Sequence, residues 1–354
     1  MKVWSRSLGP ALVALMVAAC GGPTTGSTPS PTPTVFDNHF GVLNGNTVRA
    51  ESSLQSLFVL GIDKDAGGVV SPDGRRLAYW AGNELRVIDI APGAQPRTVV
   101  AVPADEAALY FVWSSDGTGL VLAENGGGGG QYDAPPGYTA IRVIDIAGGT
   151  PREIARVRNA NVVPLAWDRQ AHVIAAYEPA AAGTYNYDLI SEGGAVKQIP
   201  PTSTLYFLEA SHDAQQVFGR VELIPTTTAL RVWPVATFER AVDLEVPAGQ
   251  NILGARWRPG TGEIGVLFTD RLELWDAAGN RRSLALPAPP KSNDRFTSLA
   301  FRADGKVAFI GRLLESGPET YDTYTVALEI ASGRNAVVRW PGAAEPGRSV
   351  RVSS

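Results

Sequence analysis

The sequence predicts an all-β fold of the propeller type, in which similar four-stranded sheets follow one another around a ring. From about residue 40 onward the chain consists of short apolar runs broken by Gly, Pro, Asn and Asp, without a long stretch of helical periodicity. A turn phrase followed by an apolar run recurs six times. Repeats of about 40 to 45 residues that each hold several strands are typical of propellers.

The turn phrase is clearest in its first two copies. Ser71-Pro-Asp-Gly precedes the apolar run 77–80, and Trp113-Ser-Ser-Asp-Gly precedes the run 120–123. In all six copies the turn Asp or its equivalent falls at positions 73, 116, 170, 213, 260 and 304, with spacings of 43, 54, 43, 47 and 44 residues. A carboxylate accepts backbone N–H bonds in a tight turn, and Gly tolerates a positive φ. A structural role in the turns is therefore predicted for Asp73, Asp116, Asp213 and Asp304.

Each repeat continues with a third and a fourth predicted strand. The third strand reads Leu-Arg-Val-Ile-Asp-Ile at 85–90 and Ile-Arg-Val-Ile-Asp-Ile at 141–146, and a run such as 97–102 supplies the fourth. Together with the Ser-Pro-Asp-Gly phrase, this pattern resembles the WD40-like, TolB-type (PD40) propeller repeat over about residues 67–340. The same repeat occurs in the propellers of prolyl-oligopeptidase and dipeptidyl-peptidase IV relatives. The resemblance implies a fold much more than a function.

The two ends of the chain bear on the number of blades. Residues 40–49 and 57–60 read as two strands before the first repeat, with a hairpin signal at Asn44-Gly, and residues 349–353 remain after the last one. Joining these segments in one composite blade closes a ring of seven, which we favour because closure protects sheet edges. Six closed blades with an additional N-terminal hairpin is the alternative.

The N-terminus has the layout of an export signal. Lys2 and Arg6 precede an apolar run at 11–19, which is too short to span a bilayer permanently, and Cys20 follows it. Val17-Ala-Ala-Cys resembles the bacterial lipobox, which implies cleavage after residue 19 and a lipid on Cys20. This is the single cysteine of the chain, so an internal disulfide and a cysteine-based zinc site are excluded.

A tether is predicted between the lipid and the folded domain. Residues 20–35 are rich in Gly, Pro, Ser and Thr, a composition that builds no packed core, and they extend up to about 45 Å at ~3.1 Å per residue. The predicted organisation is therefore a signal peptide at 1–19, a lipidated tether at 20–35 and a propeller domain at 36–354. The predicted location is the extracytoplasmic side of the cell envelope, on the plasma membrane or on an outer membrane.

Known catalytic signatures are missing from the sequence. The Gly-x-Ser-x-Gly pentapeptide of α/β-hydrolases does not occur, and His39, His172 and His212 lie in separate units, which disfavours a three-His metal site. Gly260-Thr-Gly-Glu-Ile-Gly precedes a predicted strand instead of a helix, so it reads as a hairpin turn and not as a dinucleotide site. We predict no catalytic residue, no metal and no cofactor.

Aromatic residues divide into two sets. Trp113, Trp167, Trp257 and Phe301 recur in the first strand of their repeats and are predicted to pack between blades. Three long loops between the second and third strands, at 124–138, 178–185 and 314–324, are rich in Tyr and acidic residues, which suits recognition. The candidate binding residues in and just after these loops are Tyr132, Asp133, Tyr138, Tyr185, Tyr187, Tyr321, Asp322 and Tyr324, with Glu178, Asp188, Glu315 and Glu319 beside them.

These observations favour a membrane-anchored binding or scaffold module over an enzyme. Charged residues make up 19% of the chain with a net charge of −4, which disfavours nucleic acid as a partner. We expect a monomer that binds a protein, a peptide or an envelope polymer. The alternative is a propeller hydrolase or lyase whose carboxylates gather at the central channel.

Overall fold

The computed structural model describes residues 35–53, 55–103, 107–127, 137–179, 185–199, 205–224, 227–236, 241–288, 295–317, 320–338 and 348–352. These residues form strands, turns and connecting segments without helices. A helix long and apolar enough to cross a membrane is accordingly not found in them.

The strands form seven four-stranded antiparallel sheets, which we number as blades 1 to 7. Blades 1 to 6 each take four consecutive strands, with the first strand innermost, and blade 7 combines strands from both ends of the chain. The strands are, in blade 1, β4 (Gly68–Val70), β5 (Arg76–Ala81), β6 (Glu84–Asp89) and β7 (Arg97–Ala101); in blade 2, β8 (Ala107–Trp113), β9 (Gly119–Gly126), β10 (Tyr138–Asp145) and β11 (Arg152–Arg158); in blade 3, β12 (Val163–Asp168), β13 (Val173–Pro179), β14 (Tyr185–Ser191) and β15 (Val196–Ile199); in blade 4, β16 (Leu205–Ala210), β17 (Gln216–Ile224), β18 (Thr227–Pro234) and β19 (Val242–Glu245); in blade 5, β20 (Gly254–Trp257), β21 (Ile264–Leu267), β22 (Arg271–Trp275) and β23 (Arg281–Ala285); in blade 6, β24 (Arg295–Phe301), β25 (Val307–Gly317), β26 (Thr320–Glu329) and β27 (Asn335–Val338); and in blade 7, β28 (Arg348–Arg351), β1 (Phe40–Asn44), β2 (Thr47–Ala50) and β3 (Ser56–Val59).

Blade 7 closes the ring by pairing the two ends of the chain. The C-terminal strand β28 is antiparallel to β1, with Phe40 opposite Arg351 and Gly41 opposite Val350. A side chain at Gly41 would come within 2.9 Å of the Arg49 carbonyl oxygen of β2 and of the Val352 side chain that follows β28, so the close packing on both sides of β1 requires glycine. The prediction of seven blades with a composite closing blade is confirmed, and the six-blade alternative is wrong.

Neighbouring blades pack face to face through apolar clusters, so each sheet is covered on both sides. Trp113, Trp167, Trp257 and Phe301 all lie buried in these interfaces, as predicted. The indole N–H of Trp113 donates to the Val69 carbonyl of blade 1 at 2.9 Å. Trp167 lies against Gly119 of blade 2, where an added methyl group would be 2.7 Å from the indole. These aromatic residues therefore connect blades 2, 3, 5 and 6 with the blade before each of them.

Blades 6 and 7 meet through the first described residues of the chain and a buried guanidinium group. Val35 and Phe36 pack against the apolar side chains of blade 6. Arg302 of blade 6 makes two 2.9 Å bonds to Asp304, lies 3.5 Å from Glu51 of blade 7 and stacks 4.7 Å from the Phe40 ring. Burial raises the pKa of Glu51 to about 7, although Arg302 acts to lower it. This seam thus depends on charge as well as on apolar packing.

The antiparallel order gives the ring two different ends. Turns between first and second strands lie at one end, which we call the turn face, and connections between second and third strands lie at the other, which we call the hairpin face. The long loops predicted on the hairpin face are in part strand. Strands β25 and β26 stay paired up to Gly317 and Thr320, and β9 and β10 up to Gly126 and Tyr138. Blade 4 has a similar long hairpin, with pairing up to Ile224 and Thr227, that the sequence did not single out.

Replacing Val350 in the closing strand is expected to destabilise the ring. Val350 is 0% exposed and packs in the cluster between blades 7 and 1. Val350→Ala should lower the free energy of unfolding by about 2 kcal/mol, because it removes two buried methyl groups and leaves a cavity. Val59→Ala, at a 57% exposed position of the same blade, is the matched control and should change it by less than about 0.5 kcal/mol. Urea unfolding of both variants measures this, and equal effects would contradict a closing role for β28.

Candidate functional site

The turn face is built from repeats of one small hydrogen-bonded motif. In blade 2 the Ser114 hydroxyl donates to Asp116 Oδ1 at 2.6 Å, and the same oxygen accepts the Thr118 N–H at 3.0 Å. The Gly119 N–H donates to Ser114 Oγ at 2.9 Å, and Gly117 between them has a φ of +68°. Equivalent bonds occur at Asp73 and Asp213, and Asp304 accepts the Lys306 N–H.

Blade 3 forms the same turn with a different residue. Asp168 stands where the other turns have Ser, and its Oδ1 accepts the N–H groups of Gln170 and Ala171 at 2.9 and 3.1 Å. His172 then adopts a φ of +56°, a left-handed conformation that is uncommon outside glycine. The sequence placed the missing turn Asp at position 170, whereas the carboxylate that takes its part lies two residues earlier.

Acidic turns surround the mouth of the central channel on the turn face. A cavity of about 560 Å³ there is lined by residues of blades 1, 2, 4 and 5, among them Asp73, Asp116, His212 and Asp213. The three aspartates are each bound to their own turn through Oδ1. Within the described ranges, no three His, Cys, Asp or Glu side chains are grouped so as to hold a metal ion. The carboxylates at this channel mouth thus have a structural role, which is to stabilise their own turns.

The described residues include only part of the Tyr-rich and acidic loop surface that was predicted for the hairpin face. Tyr132 and Asp133 lie outside the described residues, and Tyr321 and Asp322 are described only as backbone positions of β26. Tyr138, Tyr185 and Tyr324 are half-buried near the hairpin ends. The guanidinium of Arg156 stacks 3.9 Å from the Tyr138 ring centre.

Tyr187 belongs to the core and not to the surface. Its side chain is buried against Trp233 of blade 4, with ring centres 5.3 Å apart. This burial raises the pKa of the Tyr187 hydroxyl above its ordinary value, with a smaller contribution from Tyr185. Successive side chains of β14 point alternately toward blade 4 and toward blade 2, and both neighbouring blades cover the strand. A tyrosine two residues inside the strand is therefore shielded from solvent. It cannot contact a ligand at the surface in this conformation.

Tyr177 joins the candidate site, although sequence reasoning missed it. The rings of Tyr177 and Tyr185 meet edge to face with centres 5.0 Å apart, and both pack on the cluster that contains Tyr187. Tyr177 pairs across the hairpin with Tyr187. Counting pairs back from the hairpin end would have found it, because residues opposite each other in a strand pair share one side. Blade 3 therefore presents an aromatic edge beneath its hairpin.

The innermost strands of blades 4 and 5 carry an ion pair that the sequence analysis also missed. Arg256 Nη1 lies 3.2 Å from Glu209 Oε2, while Glu209 Oε1 accepts the Trp257 N–H at 3.1 Å. Loss of hydration raises the pKa of Glu209 to about 7, against the lowering effect of Arg256 and of the Trp257 N–H. Glu209 and Arg256 each stand four residues before the turn positions of their repeats, 213 and 260, so aligning the repeats would have placed them in adjacent blades.

His39, His172 and His212 all lie on the turn face, where His39 lines a cavity with Asp73 and Asp304. His172 Nδ1 lies 3.1 Å from Glu192 Oε2, and the other oxygen of Glu192 accepts the Trp167 indole N–H at 2.8 Å. His212 lines the channel mouth with its side chain exposed, and Asp213 follows it in the turn. Neither arrangement provides a nucleophile with a base beside it.

No protein-family model matches this chain, and no curated protein does. Solved structures do match. An oligogalacturonate lyase in complex with manganese is 15% identical over 84% of this chain and 83% of its own, with a TM-score of 0.55. One of two prolyl endopeptidases is 16% identical with a TM-score of 0.54, and the match covers 78% of this chain but 42% of that protein. A TolB-like protein from Agrobacterium tumefaciens is 11% identical over 80% of this chain and 87% of its own, with a TM-score of 0.43.

At these identities the comparisons show the fold. The first two matches support the propeller architecture, and both are enzymes, whereas the third is TolB-like. The chain spans less than half of the prolyl endopeptidase that it matches. Propellers support several kinds of function, so the activity of a neighbour is not transferred with its fold.

A substitution in one turn tests the role of its carboxylate. Desolvation acts to raise the pKa of Asp116, but hydrogen bonds from Ser114 and Thr118 and the charge of Arg169 outweigh it and lower the pKa. Asp116→Asn should lower the free energy of unfolding by about 1 kcal/mol at pH 7. A lowered pKa stabilises the folded protein above the ordinary value near pH 4, and this benefit is lost as the pH falls through the lowered pKa.

The variant and the wild type should therefore converge as the pH falls below about 4. Urea unfolding at pH 7, 5 and 3.5 measures the difference. Asp65→Asn, at an exposed loop position whose carboxylate has no hydrogen bond in the described structure, is the control. A difference between Asp116→Asn and the wild type that is independent of pH would contradict a role for the ionised carboxylate.

Proposed function

We propose that this chain is a non-catalytic binding module of the bacterial cell envelope, held to a membrane by a lipid on Cys20, whose hairpin face binds a protein, a peptide or an envelope polymer. The observation that carries the proposal is the uneven hairpin face. Blades 2, 3, 4 and 6 extend their second and third strands, while blades 1, 5 and 7 turn back early.

The extended hairpins suit recognition for physical reasons. A closed ring of packed sheets holds its connecting segments in fixed positions, and binding residues are often found on connections that a rigid scaffold supports. Tyr177 and Tyr185 form an aromatic edge under the blade 3 hairpin, and tyrosine combines contact area with a polar group at a low cost in entropy. The uneven hairpin lengths give a partner a shape to recognise.

The membrane anchor is supported by the N-terminal sequence. The charged start, the apolar run and the small residues before Cys20 fit a lipoprotein signal, and no other cysteine competes for that role. A single acyl chain binds a membrane weakly, whereas several chains on one N-terminal cysteine, as the lipobox resemblance implies, anchor a protein stably.

A propeller hydrolase or lyase is the second candidate, and Glu209 is the observation that favours it. Its pKa of about 7 is one that suits a general acid or base, and it lies on an innermost strand beside Arg256. However, both of its carboxylate oxygens already accept hydrogen bonds from blade 5. Stoichiometric metal in the purified protein, together with the absence of a partner, would favour this candidate.

Site-specific photo-cross-linking in the native host tests the binding surface. A photoreactive residue at position 185 or 321 on the hairpin face should give a cross-linked product of defined mass, and one at position 75 or 306 on the turn face should not. Combined Tyr132→Ala, Tyr185→Ala and Tyr321→Ala substitutions should weaken binding to the product so identified by about tenfold or more, since aromatic anchors dominate interface energies.

The matched control carries Arg75→Ala, Gln215→Ala and Lys306→Ala, at three exposed positions of the turn face. It should bind the same partner with unchanged affinity. Cross-links from the turn face alone, or equal affinity of the two triple variants, would count against a binding role for the hairpin face.

Lipid attachment is tested by Cys20→Ser. The wild-type protein should remain in the membrane fraction and enter the detergent phase, and mass spectrometry should find diacylglyceryl on an N-terminal Cys20. The variant lacks the thiol that carries the lipid, so it should not be processed at this site or lipidated. An unmodified Cys20 in the mature wild-type protein would show that the anchor has been assigned wrongly.

A further inference from the structure

The β13–β14 hairpin of blade 3 carries carboxyl groups on the side opposite its tyrosines. Asp188 pairs with Ala176 across the hairpin, and Glu178 lies two pairs nearer the hairpin end, opposite Asn186. Glu178 and Asp188 therefore project from the same side of the sheet, toward blade 2. Ala176, which shares this side, packs in the apolar cluster between blades 2 and 3.

Asp188 is buried without a hydrogen-bond donor among the described residues. Its side chain is 1% exposed, and neither carboxylate oxygen accepts a hydrogen bond from an N–H or hydroxyl donor. Glu178 is half-buried, and its Oε2 accepts the amide N–H of Gln198 at 2.9 Å. An ionised carboxylate in such a place is costly unless a cation or a proton neutralises it.

Among the described residues, the groups that face Asp188 include no positive charge. On its own blade, the charged group that faces it is Glu178, while Lys197 of β15 pairs with Leu189 on the other side of the sheet. The side chains of blade 2 that meet blade 3 near the hairpin face are neutral and bound to one another, namely Asn125, Thr139 and Asn161. Arg152 of β11 reaches blade 3 at the opposite end, where it donates to the Glu192 carbonyl. Glu124 and Arg142 pair with each other, and Glu153 pairs with Arg142 and Arg156.

We infer that Glu178 and Asp188 share one proton, and that loss of this proton loosens the β13–β14 hairpin. Two adjacent carboxyl groups bind each other only if one of them is protonated and donates to the other. Burial raises the pKa of Asp188 to about 7, and the charge and hydrogen bond of Glu178 raise it further. The shared proton is then retained in weak acid and lost in weak base.

The position of the pair connects it with the hairpin face. The opposite side of the same hairpin carries Tyr177 and Tyr185, so repulsion between two ionised carboxylates acts on the segment that positions these rings. Binding through the hairpin face should consequently weaken as the pH rises through 7. This last step rests on the proposed function, whereas the sharing of a proton does not.

Asp188→Asn tests the shared proton without any ligand. A raised pKa in the folded state means that stability is lost as the pH rises from about 4, the ordinary pKa, to about 7. Glu51 and Glu209 also have raised pKa values and make stability depend on pH in the same way in both proteins. The difference in Tm between wild type and variant therefore reports the contribution of Asp188 alone. From pH 4.5 to pH 8, the Tm of the wild type should fall by about 4 °C relative to that of Asp188→Asn.

Infrared spectroscopy provides a readout that packing alone does not change. At pH 6 the wild type should show a stronger carbonyl band of protonated buried carboxyl groups than Asp188→Asn does, because Glu51 and Glu209 contribute to this band in both proteins. The difference between the two spectra should titrate near pH 7. Glu178→Gln should remove the partner of the shared proton and lower the titration midpoint. Asp145→Asn, which replaces an exposed turn carboxylate on the turn face, is the control and should leave both signals unchanged.

Three outcomes would overturn the inference. Parallel Tm profiles of wild type and Asp188→Asn would show that Asp188 is not protonated at neutral pH. A Glu178→Gln variant that titrates like the wild type would show that the proton is not shared. A Tm that rises with calcium and falls with EDTA in the wild type, but not in Asp188→Asn, would show that a cation occupies the pair. A failure to find any partner leaves these results unaffected and counts only against the proposed function.

Discussion

The pairing of β28 with β1 is the contact on which the whole ring depends. Each of the other blades is made from consecutive strands and is joined to its neighbours by apolar packing, so blades 1 to 6 would form an open arc with an exposed sheet face at either end. Blade 7 packs against blade 6 and blade 1 and so covers both exposed sheet faces. It is complete only when β28 pairs with β1 as its innermost strand. The seam with blade 6 is completed by Arg302, which binds Asp304 and Glu51 and stacks on Phe40. The two faces keep their geometry because this ring is closed.

Much of this fold could be predicted from the sequence because the repeated turn requires particular residue types at fixed positions. A hydroxyl, a carboxylate and a residue that tolerates positive φ must follow one another, and Ser114, Asp116 and Gly117 are such residues. The copy in blade 3 was recognised but lacks an Asp at position 170, because Asp168 replaces both the serine and the turn aspartate. The composite blade was predictable as well, since two strands and one strand were left over at opposite ends of the chain.

The candidate site was harder to predict for a definite reason. In a propeller both sides of each sheet are covered by neighbouring blades, so alternation along a strand does not separate buried from exposed residues. Tyr187 and Tyr185 look equivalent in the sequence, yet one lies in the core and the other near the hairpin end. The Glu209–Arg256 pair joins residues nearly one repeat apart. Such contacts become visible only when the repeats are aligned and their register is known.

The composite blade also fixes an order of events in synthesis. Because β28 follows every other described strand in the chain, the ring cannot close until the ribosome has translated residue 351, and one edge of β1 stays unpaired until then. Contacts between such distant residues form slowly, and exposed strand edges favour aggregation while they wait. A chain truncated just before β28 would retain six complete repeats and still lack a closed ring. Closure of the ring therefore distinguishes a chain that includes β28 from one that has lost it.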